Sequence, residues 1–581
     1  MEETKIETPQ EEKKEETQTE QQIIDQLFKE RDQYRQANQA KRDEISEIHD
    51  TYSGKLTDAK DRSKSQEQTN KMRTEVSYIV PSIFSGQPEI EVEPVGNEDK
   101  LYAEIFEKII NHQFAIIPQF YEKIEAWVKQ ATVFGTSILK VCWKFLTTKE
   151  GEYLKPTYDA PDVENPNILD CFYNPIIANV EDQSSIIFRS VIPIEEVKAN
   201  VMYDYTDVLG NLNREKIKEG SNSPNQYDSS RMVTRDALDS AKSAEGTVDI
   251  YERITADRIQ TVVDGKEKLV LRDKLYLGFI NAVKLVHEPA DIPNRFEGNG
   301  VGQNTLGLTK LYQKMMNRTL DSVALTNNPF FLAKKGSKID KKQAVVRPGG
   351  MLEVEGDKPL SEYIQAIQFP DIKSGAIQIM NKIDDEHKRA SGANDLIQGA
   401  SSNKTLGQDQ IASTYSSNRF ELINRRFKQA LADVANMMIQ LILKNIQNPD
   451  SEVLRIFPKE VEIEDGQVTL SRELVYQLLI NPEAQNAKYN IKVRGETNVA
   501  KNKDIQIKQL IDAYNLFGAV LPPKNQMEWA RKILSLRGVD EIDKLVPNEE
   551  EITQAMQPQM PEMVDGQAMG NGMPMQPTEQ L

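Results

Sequence analysis

Three glycines at alternate positions, Gly298, Gly300 and Gly302, are the residues of this sequence whose spacing first invites chemistry. A glycine-rich turn ahead of a helix can cradle a phosphate with its backbone N–H groups. The dinucleotide fingerprint needs its third glycine one position later, where Gln303 stands, and a strand–turn–helix unit with a ribose-binding acid behind it. The phosphate loop of ATPases closes on Gly-Lys-Ser/Thr, and that triplet occurs nowhere in the chain. The run therefore reads as a turn by which the chain enters a helix.

Other reactive side chains are scattered. His49, His112, His287 and His387 stand apart, and His112 and His387 fall on helical stretches without a His, Cys or Glu at metal spacing, so each reads as a surface or satisfied histidine. Cys142 and Cys171 suit a reducing compartment and cannot alone complete a four-ligand zinc site. No Gly-x-Ser-x-Gly elbow or Cys–His pairing is present. The adjacent acids Asp384 and Asp385 point about 100° apart on a helix and cannot face one another across a reacting bond. Asn317-Arg-Thr319 and Asn403-Lys-Thr405 match the glycosylation pattern, which has no meaning in a cytosolic chain. These residues predict no enzyme, no cofactor and no metal.

The elements that carry them centre on TLGQDQIASTYSSNRFELINRRFKQALADVANMMIQLILKN, residues 405–445, which lacks proline and has one glycine near its start. Phe420, Phe427, Leu431, Val434, Met438 and Leu441 recur at helical spacing, with Asn418, Glu421, Arg425, Lys428 and Asp433 opposite. Thr405 and Gln408 form a capping-box pattern. A helix of about 40 residues would run roughly 60 Å, a structural spine.

Composition narrows the classes. The chain has 581 residues, 72 Lys+Arg against 90 Asp+Glu, and a formal net charge of −18, which argues against wrapping DNA by phosphate neutralisation. It leaves room for a wall past which DNA slides. No run of about 18 apolar residues occurs and the N-terminus is acidic, so neither a membrane span nor a signal peptide is expected.

In order, residues 1–20 hold eight glutamates and three lysines and read as a disordered acidic tail. Helical pattern follows over Gln21–Ser53 and Thr69–Phe84, where Pro81 should kink or end the helix. Glu89–Glu93 alternates as a strand, Asp99–Ala115 and Gln119–Phe134 form a helical pair broken at Pro118, and Ser137–Phe145 is a strand after Gly135. Short strands are expected around Asn174–Pro175, and Tyr203–Gly246 reads as a mobile surface excursion. Strands return over Val248–Val286, with a hairpin turn at Asp264–Gly265 and KLYLGFINAVKLV as one of them.

Beyond the glycines, a helix over about Thr305–Thr326 shows Leu308, Leu311, Met315 and Val323 on one face. Short strands and turns fill 329–371. A second helix, Lys373–Ala390, carries Ile377, Met380 and Ile383 on one side and Asp384, Asp385, Lys388 and Arg389 on another. A small polar loop, Ser391–Lys404, joins it to the spine. After the spine come strands at Glu452–Ile463 and Tyr489–Val493 around a helix near Ser471–Leu479, then helix from Lys503 to Leu545. The final Pro547–Leu581, with six methionines and five prolines, reads as disordered. The fold class is α+β, mostly α.

This order of parts resembles the portal (head-to-tail connector) proteins of tailed bacteriophages, of the kind in short-tailed phages related to the P22 type. The resemblance is carried by MRTEVSYIVPSIF (72–84), QATVFGTSILKVCWK (130–144), LDCFYNPIIANVEDQSSIIFRSV (169–191), GNGVGQNTLGLTKLYQKMMNRTLDSVALTNNPFF (298–331), RPGGMLEV (347–354) and the loop-and-spine run beginning GANDLIQGASSNKTLG. It covers roughly residues 70–450. No single motif is diagnostic; their order is.

What the resemblance implies is a wing over 21–302 with a mobile insertion at about 204–246, a stem helix at 303–327, a clip at 328–371, a second stem helix at 372–390, a tunnel loop at 391–407, a long wing helix and β return at 408–496, and a helical crown at 497–546. It implies a homo-oligomeric ring, typically dodecameric, at one vertex of the capsid in the virion, made in the host bacterial cytoplasm. Its implied partners are the major capsid protein, the terminase large subunit, head–tail adaptor proteins and double-stranded DNA passing without sequence specificity. Asn394, Asp395, Gln398, Ser401, Asn403 and Lys404 are the tunnel-loop candidates for the DNA channel, and Asp384, Asp385, Lys388 and Arg389 the stem candidates. Gly392, Gly399 and Gly407 are candidate hinges of the loop. The family's P22-type members can extend the C-terminus as a long helical barrel, which the Pro-, Gly- and Met-rich tail here does not suit. Two rivals stay open: a non-channel virion scaffold or adaptor built on a helical spine, and a nucleic-acid-processing enzyme.

Overall fold

The computed structural model describes residues 19–54, 67–84, 88–150, 153–207, 210–217, 246–275, 278–327, 330–333, 364–367, 374–393, 406–459 and 470–494, with a few isolated positions and short pieces elsewhere. The chain divides into two compact units, Met1–Thr497 and Asn498–Leu581. Helix accounts for about half of the chain and the architecture is mixed α/β.

The stretch expected to be one N-terminal helix is two, α1 (Glu20–Ala37) and α2 (Gln39–Ser53). They part at Asn38, whose side chain is buried and donates to the Tyr173 carbonyl at 3.0 Å. Glu20, expected in the acidic tail, opens α1 and accepts from Asn213 Nδ2 (2.7 Å) and the Val270 amide (3.1 Å). Helix α3 (Lys71–Ile83) runs only two residues past Pro81, which withholds the N–H that would have bonded back to the Ser77 carbonyl. Then come β1 (Glu89–Pro94), α4 (Lys100–Ile116), α5 (Phe120–Phe134), β2 (Thr136–Glu150) and β3 (Tyr153–Glu164).

A five-stranded antiparallel sheet follows: β4 (Cys171–Phe172), β5 (Ile186–Pro193), β6 (Thr247–Ile254), β7 (Arg258–Asp264) and β8 (Lys268–Leu275), in that order across the sheet. A short helix, α6 (Ile194–Ala199), follows β5. On one face lie Ile23, Ile24, Leu27 and Phe28 of α1, packed on Tyr251 and Val262. Glu30 fixes that helix by accepting twice from Arg253, at 2.8 and 2.9 Å. Arg189 is buried between Asp170 (3.4 Å) and Asp249 (3.2 Å), so each of these two buried carboxylates has the same guanidinium as a partner. The excursion expected from Tyr203 is anchored at its start: Tyr203, Asn213 and Ile217 are buried, and Asn213 Nδ2 donates to the Val270 carbonyl. Residues 218–245 lie outside the described residues.

KLYLGFINAVKLV is not one strand. It splits into the end of β8 and a separate β9 (Ala282–Val286), which leaves the five-stranded sheet and pairs with β2, Thr136 opposite Val286. The second sheet has the order β3-β2-β9. Helix α7 (Val301–Asn327) starts four residues earlier than expected. A two-stranded ribbon, β10 (Phe330–Ala333) with β11 (Ile364–Ile367), lies between it and α8 (Ser374–Ser391).

The spine is α9, Leu406–Asn445, 40 residues. From Phe420 onward its apolar face is buried by α3, α4, α5 and the β2–β9 sheet. Phe427 sits between Phe84 (ring centroids 5.6 Å) and Trp127 (6.2 Å). Glu452–Leu454 is a 3-10 turn rather than a strand; β12 (Ile463–Glu464), β13 (Gln467–Val468), α10 (Arg472–Ile480) and β14 (Tyr489–Arg494) complete the unit. β14 returns to pair antiparallel with β1, Glu89 opposite Arg494. Thr405 lies outside the described residues, so the expected capping box does too. In the second unit residues 529–534 are helical and the Tyr514 and Trp529 rings lie 6.4 Å apart. The rest of the expected crown and the final tail lie outside the described residues.

Because Phe427 joins the spine to two other helices, Phe427→Ala should destabilise the first unit by about 3–5 kcal/mol. Thermal or urea unfolding followed by tryptophan fluorescence checks this; an unchanged midpoint would show that the spine is held by other contacts.

Candidate functional site

The glycine run and the helices it feeds are where the structure differs most from an open loop. The run is a close backbone joint. A Cβ on Gly300 would sit 2.5 Å from the Gly135 nitrogen, 2.7 Å from the Thr132 oxygen and 2.9 Å from the Val133 oxygen; one on Gly302 would meet Ile48 and the Val133 oxygen, both at 2.4 Å. None of the three is in the left-handed region, so the expected turn is not why they are glycines. Gly135, at φ 88°, is. The polar groups freed there are occupied. Thr136 Oγ1 accepts from the Gly298 amide at 2.7 Å; Gln303 accepts from the Gly300 amide at 2.7 Å and donates to the Phe134 carbonyl at 2.9 Å. Gln303, the residue that breaks the nucleotide fingerprint, is the clamp of the joint.

Below the joint, Lys284 Nζ donates to the carbonyls of Ala178 and Phe296 and lies 4.6 Å from the Phe296 ring centroid. Burial pulls its ammonium down to about 8, although Glu297 nearby opposes the shift.

Helices α7 and α8 pack on each other and on α3 through polar groups. His387 of α8 is fully buried, Nδ1 2.7 Å from Glu75 Oε1 of α3 and Nε2 2.8 Å from Thr309 Oγ1 of α7. It is a satisfied histidine that ties three helices together. His112 is neither exposed nor satisfied: its Nε2 is enclosed with no hydrogen-bond partner among the described residues. Beside His387, Asp384 is ion-paired with Lys71 of α3 and with Lys388 (3.3 Å), and the Lys71 ammonium lies 4.5 Å from the Tyr312 ring centroid. Burial lowers the pKa of Lys71 from the usual lysine value.

The four candidates on α8 therefore part company. Asp384 and Lys388 turn toward α3; Asp385 and Arg389 are exposed, Arg389 beside Glu386 at 3.2 Å. The buried stripe of α7 is Val301, Thr305 and Thr309, not the expected apolar face, and Leu311 (46% exposed) and Ile377 (53%) point away from their own core. Gly392, at φ 80°, ends α8 with its amide on the Lys388 carbonyl at 3.0 Å, and Ala393 after it is buried. Gly407 lies in the first turn of α9. Asn394, Asp395, Gln398, Gly399, Ser401, Asn403 and Lys404 lie outside the described residues. Lys71, Glu75 and Thr309 went unnoticed in the sequence, although Glu75 stands on the apolar face of α3, between Met72 and Ile79.

Among the described residues no group of three or more His, Cys, Asp or Glu could hold a metal ion. Burial pushes both thiols, Cys142 and Cys171, well above the usual value, so neither is a ready nucleophile. No helix among the described residues is long and apolar enough to cross a membrane. Compared with known families, the chain is matched at residues 21–169 and 256–578 by a family model described as phage SU10 portal protein. No curated protein matches it.

Gly300→Ala should lower the melting temperature sharply, because backbone atoms and not a flexible side chain meet the added methyl; an unaffected melt would show that the joint can open. Lys284 supplies a second check. Its pKa is lowered in the fold, so between pH 8 and 10.5 the unfolded chain binds more protons and stability should rise with pH. Relative to Lys284→Met, the wild type should gain in urea midpoint across that window, and parallel curves would contradict the burial of the charge.

Proposed function

The chain belongs to the phage SU10 portal protein family, and from that premise we propose that it assembles as a closed ring at one capsid vertex and forms the channel through which DNA enters and leaves. Portal proteins are structural parts of the virion rather than catalysts. In this reading the ring nucleates capsid assembly beside the major capsid protein. The segment 328–371 is the clip that docks the terminase large subunit during packaging and head–tail adaptors afterwards. Helices α7 and α8 are the stem, 391–407 the tunnel loop, 408–496 the long wing helix with its β return, and 497–546 the crown. Double-stranded DNA passes without sequence recognition.

The family match over most of the chain carries the reading. Charge supports it: each phosphate neutralised by a wall would release counterions and tighten binding, and a subunit of net charge −18 resists that. Asp385 and Arg389, exposed on α8, are its channel-facing candidates, with Asp384 and Lys388 holding the helix in place. In the loop, Asn394, Asp395, Gln398, Ser401, Asn403 and Lys404 would meet the DNA, and Gly392, Gly399 and Gly407 would let the loop follow it. The outward apolar side chains Leu311 and Ile377 are further support, since a stem in a ring has neighbours to cover them.

Native mass spectrometry with negative-stain imaging tests the proposal. The expected result is a closed ring of about twelve copies with a central hole, built on one repeated head-to-tail contact. Ile377→Asp should keep the monomer's melting temperature and reduce the ring fraction. A wild-type chain that stays monomeric at high concentration, with capsid proteins present, would overturn the reading in favour of a scaffold without a channel.

A further inference from the structure

A pocket of about 490 Å³ opens between α2, the N-terminal end of α3, α5 and the loop 165–169. Its apolar part is Ile45, Val133, Phe134 and Leu169, and the His49 ring is stacked on Phe134 with centroids 6.5 Å apart. Arg73 and Lys129 stand at its rim, both exposed, and neither has an ion-pair partner among the described residues. Among the described residues no Asp or Glu lines it, in a chain where acids outnumber bases 90 to 72. The amide lining is already used: Gln130 donates to Asn165 Oδ1 and the Pro166 carbonyl and accepts from the Ile168 amide. Among the described residues, a ligand would meet these two cations and the Tyr52 hydroxyl over an apolar floor.

We propose that this pocket receives a carboxylate-bearing side chain, with an apolar neighbour, from a second copy of the chain. The proposal rests on the ring reading above. Copies of net charge −18 repel one another, so a ring needs places where one copy's acid meets another's cation. In a head-to-tail ring the donor and the receiver are different surfaces, so each copy can offer the pocket on one side and acids on the other. An exposed ion pair alone contributes little, about 0–1 kcal/mol. Here two cations converge on one anion while the apolar floor is covered, and the contact repeats at every interface of the ring.

The test compares the wild type with the double variants Arg73→Glu/Lys129→Glu and Arg73→Gln/Lys129→Gln. Both residues are exposed, so circular-dichroism melts of the monomers should coincide. Ring fraction is followed by mass photometry against protein concentration at several salt concentrations. Lys129 and Arg73 are labelled with an amine reagent and phenylglyoxal, respectively, in monomer and in ring. Charge reversal should raise the concentration for half-assembly by about tenfold or more, the glutamine pair by less, and the wild-type salt dependence should flatten in both. Both residues should label in the monomer and be protected in the ring. Rings that form at wild-type concentration with both residues still labelled would overturn the pocket's role and leave the ring reading intact. Unchanged assembly with lost binding of another virion protein would give the pocket to that protein and also overturn it. A wild type that forms no ring removes the ring reading and this proposal together.

Discussion

Backbone approaches backbone without a side chain between them where the N-terminal helices meet α7, and the rest of the first unit is arranged around that contact. Gly300 and Gly302 fit against the last turn of α5, and Gly298 against Val286 and Glu288 at the end of β9. The joint sets the start of α7. From that start Thr309 is carried to His387, and His387 to Glu75, so α3, α7 and α8 are held by one polar chain. Low dielectric makes such buried links costly to break, because each leaves an unpaired group behind. A long helical pair is thus fixed to the body at one end by shape and by a buried imidazole.

The spine was legible in the sequence because a 3.6-residue repeat of large apolar side chains has one physical reading, and the structure buries the predicted face from Phe420 onward. The glycines were visible as unusual, but their reason was not, since a local turn and a remote backbone contact leave the same residue in the sequence. β9 was read as one strand with the end of β8 for a related reason. Strand propensity in AVKLV is real, but it says nothing about where the strand starts or that it pairs with β2. The stripe of α7 misled because hydrophobic periodicity assumes that apolar side chains face the chain's own core. Here threonines face inward and Leu311 faces outward. That exception is expected of a subunit whose complementary surface belongs to another molecule.

The charge distribution of α8 shows how a helix can serve two surfaces. Asp384 is paired with Lys71 of α3 and with Lys388 of its own helix, while Asp385 and Arg389 on adjacent positions remain exposed. Residues one apart on a helix diverge by about 100°, so buried and exposed environments can alternate within a single turn. Reading four such residues as one cluster, as composition invites, merges two different environments.

The pairing of β1 with β14 has a consequence in time. Glu89 and Arg494 are about 400 residues apart, and the strand holding Ile90 and Val92 cannot be capped until the ribosome has made its partner. At about 5–20 residues per second that interval is roughly 20–80 s. During it the nascent chain exposes an unpaired edge and must avoid its many siblings on the same message. Non-local closure of this kind slows folding, and a chain truncated before β14 would leave the hydrogen-bonding edge of β1 open.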